Sequence, residues 1–124
     1  MKTIHSIVIC VFLCILTAHV VYAAGDATRG EQLYESRCIA CHALDANRVG
    51  PKHRGVYGRK AGAVSDFAYS PALMTSKIIW SETTLNRWLT DPEAFIPGQR
   101  MNFRVPSADD RADLIAFLKR ASAR

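Results

Sequence analysis

Three observations predict an all-α fold with long loops. Apolar residues recur at helical spacing behind residues that suit helix caps. No alternating run of convincing length argues for a strand. Large apolar residues are also scarce: from residue 24 onward, only 27 of 101 residues are Val, Ile, Leu, Met, Phe, Trp or Tyr. So lean a supply implies that something other than protein fills part of the interior. The expectation is three main helices with short helices and loops.

The elements follow in order. Asp26 suits the N-cap of a helix over 27–37, with Ala27, Gly30, Leu33 and Tyr34 on one face. Gly50-Pro51, Gly55, Gly58 and Gly62 mark a long irregular stretch. Ser70-Pro71 pairs a cap with proline at the first helical position, predicting a short helix near 71–76. Ser81 starts another, carrying Leu85, Trp88 and Leu89 and ending near Asp91-Pro92. Phe95-Ile96-Pro97-Gly98 reads as a loop. Ser107-Ala108-Asp109-Asp110 is a capping-box pattern before Leu114, Phe117, Leu118 and Ala121. Lys119, Arg120 and Arg124 suit the negative end of that last helix.

Residues 1–23 differ in kind from the rest. Lys2 precedes an apolar run from Ile7 to Leu16, and small residues follow at Ala23-Ala24. This is the pattern of a secretory signal peptide, with cleavage expected after Ala23 and after Ala24 as the nearby alternative. An uncleaved anchor helix is the competing reading, although His5, Ser6, Thr17 and His19 interrupt the stretch. On the cleaved reading Cys10 and Cys14 are lost and residues 24–124 form one domain. That domain carries 15 basic and 11 acidic residues, a net charge of +4. Its size excludes a multi-domain enzyme, and no stacking platform or dense basic run suggests nucleic-acid binding.

Cys38-Ile39-Ala40-Cys41-His42 carries the chemistry. CxxCH is the attachment sequence for c-type haem. Two thiols three positions apart reach the two vinyl groups of the porphyrin, and the next residue sets an imidazole beneath the iron. A thioredoxin-like pair would open a helix after a strand, whereas this pair follows a helical pattern. A structural zinc site needs about four ligands, and beyond the motif only His53 is a familiar one. A disulfide closing so small a loop would be strained.

For the opposite face of the iron, a Met sulfur favours the reduced state and raises the potential. Met101, after Ile96-Pro97-Gly98, is the preferred ligand, because that loop can carry an extended segment over the ring. Met74 reads more simply as a core residue of the short helix, and His53, among Lys52, Arg54 and Gly55, as a solvated loop residue. An open sixth position is the remaining alternative.

Taken in order, these motifs resemble class I monohaem cytochromes c, close to the bacterial cytochrome c2 and mitochondrial cytochrome c pattern. The resemblance runs from Gly25 to about Ala121. Gly25-Asp26, Gly30, Tyr34 and CxxCH match the amino-terminal helix. Gly50-Pro51 and Gly55-Val56-Tyr57-Gly58-Arg59-Lys60-Ala61-Gly62 match the following loop. Tyr69-Ser70, Trp80, Leu85, Trp88 and Leu89 match haem-pocket positions, Ile96-Pro97-Gly98-Gln99-Arg100-Met101 the Met loop, and residues 111–118 the last helix.

The resemblance implies one haem c bound through Cys38 and Cys41 and ligated by His42 and Met101, within a small cytochrome c fold. Pro51 would present its carbonyl to His42. Arg59, Tyr69 and Trp80 would hydrogen-bond the haem propionates. Gly30 would let the first helix approach Phe117. Trp88 lines the pocket, and electrons would leave through a ring edge near the thioethers, Phe103 and the Met loop. Departures from the pattern are Gln99 for a Thr that helps hold a propionate, His53 for an apolar pocket residue, Trp88 for a Tyr, and a shortened segment at Arg104-Val105-Pro106.

The implied function is a soluble periplasmic one-electron carrier, not an enzyme, monomeric and without stable membrane insertion after signal cleavage. It would shuttle electrons between respiratory or dehydrogenase and oxidase partners. Lys52, Arg54, Lys77, Arg87, Arg100 and Arg104 would steer it to acidic docking surfaces on redox partners. The alternatives are a dedicated haem subunit of an oxidoreductase complex and a peroxidase-like or gas-binding haem protein.

Overall fold

A computed structural model describes residues 24–124. The signal-segment reading of residues 1–23, with Cys10 and Cys14, lies outside the described residues. Five helices follow one another: α1 (Ala27–Arg37), α2 (Pro71–Thr75), α3 (Glu82–Thr90), α4 (Pro92–Phe95) and α5 (Ala108–Ser122). Among the described residues none is long and apolar enough to cross a membrane.

The long helices start where side-chain oxygens meet free backbone N–H groups. The Asp26 carboxylate accepts from the N–H groups of Thr28 and Arg29 at 2.8 and 3.2 Å. Ser81 and Thr84 form the reciprocal capping box at the head of α3, the Thr84 hydroxyl accepting from the Ser81 N–H at 2.7 Å. The box expected at α5 is only half made. Ser107 accepts from the Asp110 N–H at 3.2 Å, but the Asp110 carboxylate turns instead to Arg29 and Arg37 on α1.

That turn is part of the joint between α1 and α5. Arg29 bridges Asp110, at 2.5 Å, and Asp113, while Arg37 reaches Asp110 at 2.8 Å. Asp113 also accepts the Asp26 N–H at 2.6 Å. Between these groups the backbones touch at Gly30. A Cβ built there would run into the Asp113 carbonyl and lie 2.9 Å from the Phe117 Cβ, so the expected close approach is real and only glycine permits it. Leu33, Tyr34, Leu114, Phe117, Leu118 and Ala121 close over the joint as its apolar lining.

Two expectations need correction. Phe95 does not lie in a loop but ends the one-turn helix α4. Asp91 caps it, accepting from the Ala94 N–H at 3.1 Å, and Pro92 occupies its first turn, so the proline that stops α3 also restarts the helix. Met74 is not a core residue. It is 62% exposed, because a helix as short as α2 buries a single position, and Leu73 takes it.

The stretch between α1 and α2 has no regular structure and is held by individual bonds. Gly58 N–H donates to the Trp80 carbonyl at 2.7 Å, Trp80 N–H to Arg59 at 2.9 Å, and Ala61 N–H to Ile78 at 2.8 Å. The single antiparallel bridge, Lys60 to Ile79, is the nearest thing to a strand pair among the described residues.

Gly30→Ala is expected to lose about 1–3 kcal/mol of stability through overpacking, read from the guanidinium midpoint of helical circular dichroism. The ion cluster makes a second prediction. Hydrogen bonds from Arg29, and then Arg37, hold the Asp110 carboxyl below its ordinary value. Its contribution is therefore complete above the unfolded value of about 3.9 and is lost as pH falls from there through the lower folded value. Asp110→Asn should flatten the acid limb of the stability profile below pH ~4; an unchanged limb would contradict this.

Candidate functional site

The Cys38–His42 segment begins as α1 ends. Cys38 is the C-cap, its N–H donating to the Tyr34 carbonyl at 2.8 Å. The Cys38 carbonyl then accepts from Cys41 at 3.1 Å and His42 at 2.8 Å, so one tight turn gathers both sulfurs and the imidazole. Both thiols are free, Cys38 half-buried and Cys41 exposed. Burial pushes the Cys38 thiol up to about 11. The position of the pair at the end of a helix, rather than at the start of one after a strand, disfavours the thioredoxin-like reading. Among the described residues no three His, Cys, Asp or Glu side chains converge as a metal site.

His42, only 8% exposed, is fixed from several sides. Its Nδ1 lies 2.8 Å from the Pro51 carbonyl oxygen. A carbonyl only accepts, so Nδ1 carries the proton and the lone pair belongs to Nε2. Burial lowers the pKa of the ring against the opposing pull of that bond, favouring the neutral imidazole. Gly50 packs flat against the ring, and a Cβ there would collide with it. The Gly50 N–H donates back to the Cys41 carbonyl at 2.8 Å, closing the loop on the motif it serves. A ring with a free, unprotonated Nε2 beside two free thiols fits covalent haem attachment with axial imidazole ligation.

His53 departs from expectation. It is not a solvated loop residue but stacks on His42, with ring centroids 3.9 Å apart and planes at 19°. Burial first, then the nearby His42 and Arg59, hold it well below its ordinary value. Its Nδ1 meets the Tyr34 hydroxyl at 3.1 Å, and Tyr34 in turn packs on Phe117, centroids 5.1 Å apart. The motif is thereby connected to the α1–α5 joint. Sequence reasoning missed the contacts of Gly50 and Tyr34 with these rings. The only signals were the Gly-Pro pair and a tyrosine on the buried face of α1.

Arg59, Tyr69 and Trp80 come together from two strands of loop. Arg59 and Trp80 share the backbone pairing described above, and the Arg59 guanidinium donates to the carbonyls of Arg54 at 3.0 Å and Lys52 at 2.8 Å. Burial lowers its pKa, and the neighbouring Tyr69 works against that shift. Trp80 packs on Trp88 of α3, centroids 5.4 Å apart at 57°. Met101 is half-buried against the rim of the core, while Phe103 is 40% exposed. No hydrogen bond or ring contact among the described residues ties these two to His42. Of the six bases expected to steer docking, Arg54 pairs with Asp45, Lys52 with Asp66 at 3.6 Å and Arg104 with Asp91 at 2.9 Å. Arg87 lies over the Phe95 ring at 4.3 Å.

Comparison with known proteins agrees with this geometry. A family model described as cytochrome c matches residues 27–122. The cytochrome c of Theileria parva is 44% identical over 109 residues, covering 85% of this chain and 94% of the relative. Cytochrome c 2.1 of Caenorhabditis elegans is 41% identical over 104 residues, covering 82% and 94%. Among solved structures, cytochrome cH from Methylobacterium extorquens is similar at a TM-score of 0.74 and 40% identity, covering 77% of this chain and 99% of that one.

Gly50→Ala tests the packing of the imidazole. Its backbone is not left-handed, so the substitution acts through steric conflict with His42 rather than through backbone strain. A loss of about 1–3 kcal/mol is expected from guanidinium unfolding of the haem-loaded protein; a loss near zero would mean that the ring has room to move.

Proposed function

Because the chain belongs to the cytochrome c family, whose members carry electrons and hold haem c covalently, we propose that it is an exported, soluble one-electron carrier with iron ligated by His42 and Met101. Cys38 and Cys41 are the attachment thiols of its single haem c. When bound, the haem supplies an iron that takes up and gives back one electron without any bond being made in a substrate. The observation that carries the ligation reading is the His42 imidazole, whose protonated Nδ1 rests on the Pro51 carbonyl and leaves Nε2 for the metal.

The remaining residues divide by chemistry. Pro51 orients the imidazole and raises its basicity. Arg59, Tyr69 and Trp80 lie together where charged and polar donors can meet the propionates, and Arg59 has already lost part of its solvation to burial. Trp88 supplies an aromatic wall through its contact with Trp80. Met101 gives a soft sulfur that favours the reduced iron, and Phe103 with the Met loop forms the partly exposed edge where a partner docks. Lys77, Arg87 and Arg100 carry whatever steering toward acidic partners remains after the other bases pair with local acids. Export to the periplasm rests on the leader-like pattern of residues 1–23. Monomeric operation between dehydrogenase and oxidase partners belongs to the same reading.

Absorption spectroscopy of the oxidised, haem-loaded protein tests the ligation. The expected result is a Met-to-iron charge-transfer band that disappears in Met101→Ala, together with no carbon monoxide binding by the reduced wild type. A wild type that lacks the band and binds carbon monoxide readily would overturn the assignment in favour of an open iron.

A further inference from the structure

The segment carrying Met101 is strapped by one side chain. Gln99 is 6% exposed, and its carboxamide makes four hydrogen bonds, three to its own loop and one to Glu93 of α4. The oxygen accepts from the N–H of Met101 at 2.6 Å and of Asn102 at 3.0 Å. The nitrogen donates to the Asn102 side-chain oxygen at 2.7 Å and to the Glu93 carboxylate at 3.1 Å. Two backbone N–H groups can be met only by oxygen, so this orientation of the amide is the one the network allows. Glu93 extends the strap, accepting from the Gly98 N–H at 3.1 Å. Asn102 stands in the left-handed region, φ +47°, a conformation unusual outside glycine, and Gln99 holds it through both its N–H and its side chain.

We propose that Gln99, supported by Glu93, is the positioning residue for Met101 and does not act as a propionate donor. Its donors and its carbonyl oxygen are already engaged by the loop and by Glu93 of α4, so the role suggested by the Thr it replaces has no free group to perform it. The strap contains protein groups only, so it holds the backbone on both sides of Met101 whether or not the sulfur is bound. An external ligand that takes the place of the sulfur must compete with a segment already held in place, and loosening the strap lowers that barrier by population shift. The inference rests on Met101 being the iron ligand.

Imidazole titration of the oxidised, haem-loaded protein, followed by the Met-to-iron band, reads this directly. Gln99→Ala is expected to raise imidazole affinity about tenfold or more, the scale of losing one or two buried hydrogen bonds, with helical circular dichroism and haem content unchanged. Gln99→Glu faces its carboxylate to Glu93 and should also raise the affinity. The exchange Glu93→Gln/Gln99→Glu again pairs one amide with one carboxylate and should return the affinity to within about twofold of wild type, as a coupled pair requires. This exchange keeps the test decisive even if Gln99→Ala fails to accumulate with haem. Wild-type affinity in both single variants, or no recovery in the exchange, overturns the proposal while leaving Met101 as ligand. Absence of the band from the wild type overturns the ligation reading itself.

Discussion

The hydrogen bond between His42 Nδ1 and the Pro51 carbonyl is the constraint on which the rest of the site depends. It decides the tautomer, and the tautomer decides which nitrogen can meet iron. Everything near it serves to hold that one geometry. Gly50 gives the ring a flat wall, its N–H ties the loop back to Cys41, and His53 covers a ring face. His53 is in turn anchored through Tyr34 to the helix joint. The imidazole is thus referenced to the α1–α5 joint rather than to its own loop alone.

That joint is made from unlike materials. The α1–α5 joint combines a glycine contact too close for any side chain with a group of charges at its margin. The charges add little if they are merely exposed, but Asp110 and Asp113 are largely covered, and each accepts more than one donor. The glycine contact sets the distance and the carboxylates set the register along it. With only 27 large apolar residues in the described chain, such local fixtures do what a bigger domain obtains from core volume. Haem c supplies the remaining apolar mass.

Much of this was legible in the sequence, and the failures have a common physical origin. The long helices could be read because caps and apolar spacing are local properties. Cys38 and Cys41 could be read because covalent chemistry imposes its own spacing. Gly30 was legible through the match to the last helix. Met74, His53 and Phe95 were misread because burial and helix restart depend on neighbours distant in sequence or on a second use of one residue. Asp91-Pro92 ends α3 and begins α4, and a stop signal alone does not announce a new start. Gln99 was noticed only as a departure, since a residue's hydrogen-bond partners cannot be read from its type.

The two loops proposed to present the axial ligands follow the same rule by different means. Around His42 the neutral ring is packed and its one donor is used. Around Met101 the side chain has no polar handle, so the backbone is held instead, by Gln99 at the N–H groups of residues 101 and 102. Electron transfer is fast when the ligands need not move between oxidation states, and ligands move least when the groups beside them already have their partners. A carboxylate or ammonium in either place would respond to the change in charge at the iron. Amides, carbonyls and neutral rings respond far less. The polar groups bonded directly to these two residues, the Pro51 carbonyl and the Gln99 amide oxygen, are uncharged, and the Glu93 carboxylate stands one residue further out, behind Gln99.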